Sequence, residues 1–144
     1  MPSIAIAFEM FPKLKATGST DAAYLLVLLP FFANHEISID ILCHGASPRK
    51  CWGKLGEVIE THPADVSILH DLIRICSSET LMNTLSELYS FSAISWTSHA
   101  TFKLNETVRN TILSNFPSNL RSFWGIQAFT LAYRSIPWKY LGYM

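Results

Sequence analysis

The 144 residues predict a mainly α domain carrying one small β-hairpin. Three observations lead there. Apolar residues recur at spacings of three and four through most of the chain, the spacing falls to two only between Ala93 and Leu104, and Pro, Gly and Ser break the periodic segments into short pieces. With 49% apolar and 15% charged residues the chain has ample material for one core and does not have the composition of a disordered segment. A single domain over residues 3–137 is expected: N-terminal helices over 3–46, a helical core over 47–91, the hairpin over 92–104 and C-terminal helices over 105–137.

Each element has its own signal. Ile4, Phe8 and Phe11 fall near one helical face, with Pro12 closing a helix over residues 3–13. Gly18 and Ser19 mark a break, after which Ser19 or Thr20 caps and Asp21 complements the first turn of a helix over 20–33. That helix is apolar nearly all round, so it is expected at the centre of the core or against a partner. Its apolar run, Ala22 to Ala33, is interrupted by Pro30 and is well short of the roughly 20 residues of a membrane span.

His35 to Ser38 read as a polar link, and Ile39, Ile41 and Leu42 begin a short helix that Gly45 is expected to end in a left-handed conformation. Ser47 and Pro48 predict a helix through Glu60 with Trp52, Leu55, Val58 and Ile59 on one face. Residues 65–76 predict another, and Ser78 with Glu79 opens a third carrying Leu81, Leu85 and Leu88. Residues 93–97 and 100–104 then alternate, with Ile94, Trp96, Phe102 and Leu104 on one face and Ser98-His99 as the turn. Asn105 caps a helix through Phe116 that points Val108 and Ile112 inward. The last helix, from Ser118 to about Ser135, has the strongest periodicity, with Trp124, Gln127, Ala128 and Leu131 inward.

The chemistry that the sequence does not encode is equally informative. Its six glycines never form the phosphate cradle G-x-x-x-x-G-K-[ST], and neither G-x-S-x-G nor H-E-x-x-H occurs. A metal site would need Cys43, His44, Cys51 and a distant ligand such as His62 to converge, and a thiol nucleophile would need a nearby base. Neither spacing is diagnostic. Three cysteines, an odd number, and no basic and apolar leader at the N-terminus suit a reducing, cytoplasmic setting. For the same reason Asn105-Glu106-Thr107 is read as a cap and not as a glycosylation site. Eleven basic residues balance eleven acidic ones, so no net field draws the chain to nucleic acid or to anionic membranes. Arg49, Lys50 and Lys54 make a local basic patch beside Trp52.

Helices, then a two-stranded wing, then further helices is the order of a winged-helix domain. Ile4–Glu9, Asp21–Phe32 and Ile37–Leu42 together resemble the segment that follows the ATPase core in fungal NOD-like receptors of the STAND class. Leu85–Ile94 is similar to the helix end ahead of the wing in that family, Thr101–Arg109 to its second wing strand and following helix, and Trp124, Ala128, Leu131 and Ile136-Pro137 to its closing helix. The resemblance spans nearly the whole chain and rests on order and spacing of apolar residues.

In that family the winged-helix module closes over the nucleotide of the preceding ATPase, and a histidine after the second wing strand touches the ADP phosphates. The resemblance therefore implies a non-enzymatic regulatory lid whose partners are an NTPase core and helical repeats such as ankyrin or tetratricopeptide arrays. ADP or ATP would be met only in the company of that core. Here Asn105 stands at the nucleotide-sensing position and Thr107 replaces a leucine. Asn105 donates and caps but carries no charge. Phe102, Leu104, Val108 and Trp124 are expected to be structural anchors. With neither neighbouring domain in the sequence, a stand-alone remnant or a piece of a longer product is expected. The alternative is a DNA-binding winged helix that reads the duplex with the segment around Arg49 or around Arg109.

Overall fold

A computed structural model describes residues 4–17, 19–32 and 36–136. Helices α1 (Ala5–Met10) and α2 (Pro12–Thr17) take the place of the one helix expected over 3–13. Pro12 opens a helix instead of closing one, because a first-turn amide has no intrahelical partner and its absence there costs nothing. α3 (Thr20–Leu28) passes into a 3-10 turn, Leu29–Phe31, so the helix ends before residue 33, where Pro30 withholds the next amide of the ladder. The parts of these expectations that fall on Gly18, Ala33 and His35 lie outside the described residues. Ser19 is the N-cap by position, but its side chain makes no cap bond.

α3 is the central element. Ala22, Ala23 and Leu25 to Leu28 are buried, and α1, α2 and the later helices α5 (His70–Ile75), α6 (Ser78–Ser90) and α8 (Ser118–Arg134) all touch this helix. Burial of each leucine-sized side chain there contributes about 1.5–3 kcal/mol. Its N-terminus is fastened by Asp21, which accepts two hydrogen bonds from Arg74 at 2.7 and 3.1 Å.

The expected polar link contains a two-residue strand, β1 (Ile37–Ser38), with Ile37 buried. α4 (Ile39–Gly45) follows as expected, with the Ser38 hydroxyl accepting from the Asp40 amide at 3.1 Å. Gly45 does not have the left-handed role expected of it; the one positive-φ glycine among the described residues is Gly56. Gly45 is small because α4 lies flush on α8, and a Cβ there would run into the Leu131 carbonyl.

Residues 47–60 are not a helix. They form an antiparallel hairpin of β2 (Arg49–Trp52) and β3 (Val58–Thr61), paired from Arg49↔Thr61 to Trp52↔Val58. Two glycines three residues apart would each cost a helix about 1 kcal/mol. In the turn they are useful: Gly56 takes φ +82°, and the Gly53 amide donates to the Glu57 carbonyl at 2.7 Å. The β-branched Val58, Ile59 and Thr61 then favour the strand. Likewise the helix expected over 65–76 is shortened to a 3-10 turn, Pro63–Val66, and α5 (His70–Ile75). Between them Ser67 adopts φ 65°, a left-handed conformation that interrupts any continuous helix.

α6 (Ser78–Ser90), β4 (Ile94–Trp96), β5 (Thr101–Leu104), α7 (Glu106–Asn115) and α8 (Ser118–Arg134) stand where the periodicity places them. The hairpin register pairs Ile94↔Leu104 and Trp96↔Phe102, and its loop runs from Thr97 to Ala100, longer than the expected two-residue turn. β1 joins the far edge of β5, Ile37↔Phe102, giving a sheet of order β1-β5-β4. The fold is mainly α with this small sheet seated on it, and β2–β3 is a second, separate hairpin.

Candidate functional site

The residues singled out around the end of β5 fall into one neighbourhood. Phe102, on the central strand, is fully buried and meets the Trp96 ring edge-on at 5.9 Å. Leu104 is half-buried at the strand end, and Val108 is buried on the first turns of α7. Asn105 is the N-cap of α7: its Oδ1 accepts from the Val108 amide at 3.2 Å, while its own amide donates to the Ala93 carbonyl at 2.8 Å. Trp124 anchors α8 from a separate part of the core, against Tyr24 at 6.1 Å and Phe123 at 5.4 Å.

Beside the cap lies a cleft of about 290 Å³ lined by Ser95, Lys103, Leu104, Asn105, Glu106 and Arg109. Arg109 Nε is buried there and has no hydrogen-bond partner among the described residues. Two cations, one carboxylate and a capping amide suit contact with a small anion. They do not make a nucleophile and base pair.

The basic patch is carried by the hairpin, not by a helix. Arg49 and Lys50 lie on β2 and line a cleft of about 480 Å³ against the end of α8, together with Trp52, Val66, Tyr133 and Ile136. Lys54 sits in the turn and does not line it. The floor of the cleft is Arg134, 8% exposed, which donates to the Gly45 carbonyl at 2.9 Å, the Ser47 carbonyl at 2.7 Å, Thr61 Oγ1 at 2.9 Å and the Thr61 carbonyl at 3.2 Å. All four acceptors are neutral. Burial, and after it the nearby Arg49, lowers the Arg134 pKa from its ordinary value, with Asp65 pulling the other way. A guanidinium so far above neutrality stays charged all the same.

The sequence reading missed Arg134, although its signal was present: the register that turns Trp124, Gln127 and Leu131 inward turns residue 134 inward as well. Gln127, read as an inward residue, proves to be a backbone clamp. It accepts from the Leu69 amide at 3.0 Å and donates to the Ser67 carbonyl at 2.9 Å, satisfying the left-handed turn ahead of α5.

Two of the three thiols, Cys43 and Cys76, are shifted away from the thiolate form. Burial pushes Cys76 up to about 12 and also raises Cys43, whose neighbour Ser78 pulls it the other way. Both thiols are therefore protonated at neutral pH. Cys43 and His44 lie on α4, Cys51 on β2 and His62 ahead of the 3-10 turn at 63, and no group of three or more His, Cys, Asp or Glu that could hold a metal occurs among the described residues. No described helix is long and apolar enough to cross a membrane. In comparisons with known proteins, no family model, curated protein or solved structure matches the chain.

Proposed function

We propose that this chain is a winged-helix interaction module that works by packing against another folded body, in the manner of the lid that follows the ATPase core in fungal STAND receptors, and that it performs no covalent chemistry of its own. The observation that carries the reading is the strand order β1-β5-β4. β1 precedes α4, the β2–β3 hairpin and the α5–α6 pair, and it closes onto the second strand of the hairpin that follows them, which supports reading β4–β5 as a wing tied to the core. The cleft lined by Lys103, Asn105 and Arg109 is then the surface that faces the nucleotide phosphates. On this reading an NTPase core and helical repeats are the partners, the setting is cytoplasmic, and Asn105 contributes a neutral donor in place of a charged histidine.

The DNA-binding alternative finds no basic recognition helix among the described residues considered for that role. α6, the second helix of the pair, has Glu79 and Glu87 and neither Lys nor Arg, whereas a helix in a major groove needs cations toward phosphates and base edges. Of the two segments first considered for that role, the one around Arg49 is a strand and Arg109 is half-buried.

Two measurements on the purified chain test the proposal. A labelled DNA duplex in fluorescence anisotropy is expected to give no binding at physiological salt; binding that weakens steeply as salt rises would replace the proposal with the DNA reading. Because ADP is met only in the company of the ATPase core, ADP titrated into the isotopically labelled chain alone is expected to perturb the amides of Lys103, Asn105 and Arg109 weakly or not at all, and no others. Perturbation elsewhere, or turnover of ATP by the chain alone, would overturn the nucleotide-facing lid.

A further inference from the structure

The cleft between β2 and the end of α8 is a second feature, separate from the cap at Asn105, and its two halves differ in chemistry. Part of its lining is apolar and exposed: Val66, Tyr133 and Ile136. The apolar strip continues along α8 through Phe129, stacked on Tyr133 at 6.2 Å, to Ile126. Apolar groups at spacings of three and four on the outside of a helix whose inside is already packed are a contact surface in search of cover. The other half is cationic. Arg49, Lys50 and Arg134 line it, and among the described residues that line it there is no Asp or Glu. Among the described residues Arg134 donates hydrogen bonds to neutral acceptors alone, with Asp65 acting on it without a hydrogen bond.

We infer that this cleft is a docking site for an acidic peptide segment of a partner protein, with apolar side chains on the α8 strip and one or two carboxylates facing Arg49, Lys50 and Arg134. Charge complementarity selects that occupant. The positive charge is confined to three groups and bordered by acids: Glu60 stands directly opposite Lys50 in the β2–β3 register, Glu57 lies in the adjoining turn, and Asp65 acts on Arg134. A phosphodiester chain brings an anion at every step and would meet those acids. A peptide brings its carboxylates only where they are wanted, and its leucine- or phenylalanine-sized groups match the exposed strip. The inference holds whether or not the wing and the cap belong to a STAND lid, and none of its test variants touches Lys103, Asn105 or Arg109.

The test uses the full chain and a fluorescein-labelled peptide that alternates Asp or Glu with Leu and Phe. Binding is expected at low salt, weaker as salt rises, and absent for the same peptide with Lys in place of its acids. Arg49→Glu combined with Lys50→Glu is expected to weaken binding about tenfold or more, and Tyr133→Ser to weaken it without changing its salt dependence. Should the double variant fail to fold, Lys50→Glu alone, at an exposed position, reads the same effect. The inference is overturned if the peptide does not bind, if charge reversal leaves its affinity unchanged, or if phosphatidylserine vesicles or single-stranded DNA bind better than the peptide. It is also overturned if sedimentation finds a dimer that Tyr133→Ser disperses, which would make a second copy the occupant.

Discussion

The two hairpins of this protein are about equal in length and opposite in circumstance. β4–β5 has one face in the core: Ile94 and Phe102 are buried, and β1 closes its outer edge. β2–β3 projects from the fold with Trp52 40%, Leu55 93%, Val58 47% and Ile59 41% exposed. Among the ties to the body is one side chain, Arg134, bonded to Ser47 and Thr61 on the hairpin side and to Gly45 at the end of α4. One hairpin is held by burial, and the other, among the described residues, draws side-chain hydrogen bonds from the buried cation Arg134. The first is built to be a fixed part of the core, the second to present a surface.

The largest effect that breaks this comparison is expected from Phe102→Ala, which empties a site with no solvent access and should cost about 3–5 kcal/mol in urea unfolding. Next is Arg134→Met. It strands the Ser47, Gly45 and Thr61 carbonyls and should cost about 2 kcal/mol. Amide exchange should accelerate in β2–β3 and stay unchanged in β4–β5; equal acceleration in both would mean that Arg134 supports the whole core. Asn105→Ala removes one cap bond and should cost about 1 kcal/mol, read as a lower urea midpoint. An unchanged midpoint would detach Asn105 from the stability of α7. The smallest effect belongs to Leu55→Ser, within about 0.5 kcal/mol, because its side chain leaves almost no contact behind.

The same contrast explains which parts of the fold were legible beforehand. Ile94, Trp96, Phe102 and Leu104 alternate because a buried face demands it, and the β4–β5 hairpin could be read from that alternation. Trp52, Val58 and Ile59 face no core, so their spacing carries no period; they happened to fit a helical face, and the helix expected over 47–60 was an error. Gly53 and Gly56 were the better signal there. The strand at Ile37 and Ser38 is too short to have a period at all, and it exists because β5 offers it an edge. Of the site residues, Phe102, Val108, Trp124 and the Asn105 cap were legible as core or cap. The convergence of Arg49 and Lys50 on Arg134 was not, since those residues lie far apart in the chain.

By itself the sequence determined the all-round apolar character of α3, the capped start of α7 and the inward stripe of α8, because each follows from local geometry and the need to bury apolar area. Tertiary structure alone decided that Gly45 faces the Leu131 carbonyl, that β1 completes the sheet, and that Arg134 holds a hairpin over a cationic cleft. Those outcomes depend on what a distant segment brings to the same point in space, and no periodicity along one chain records it.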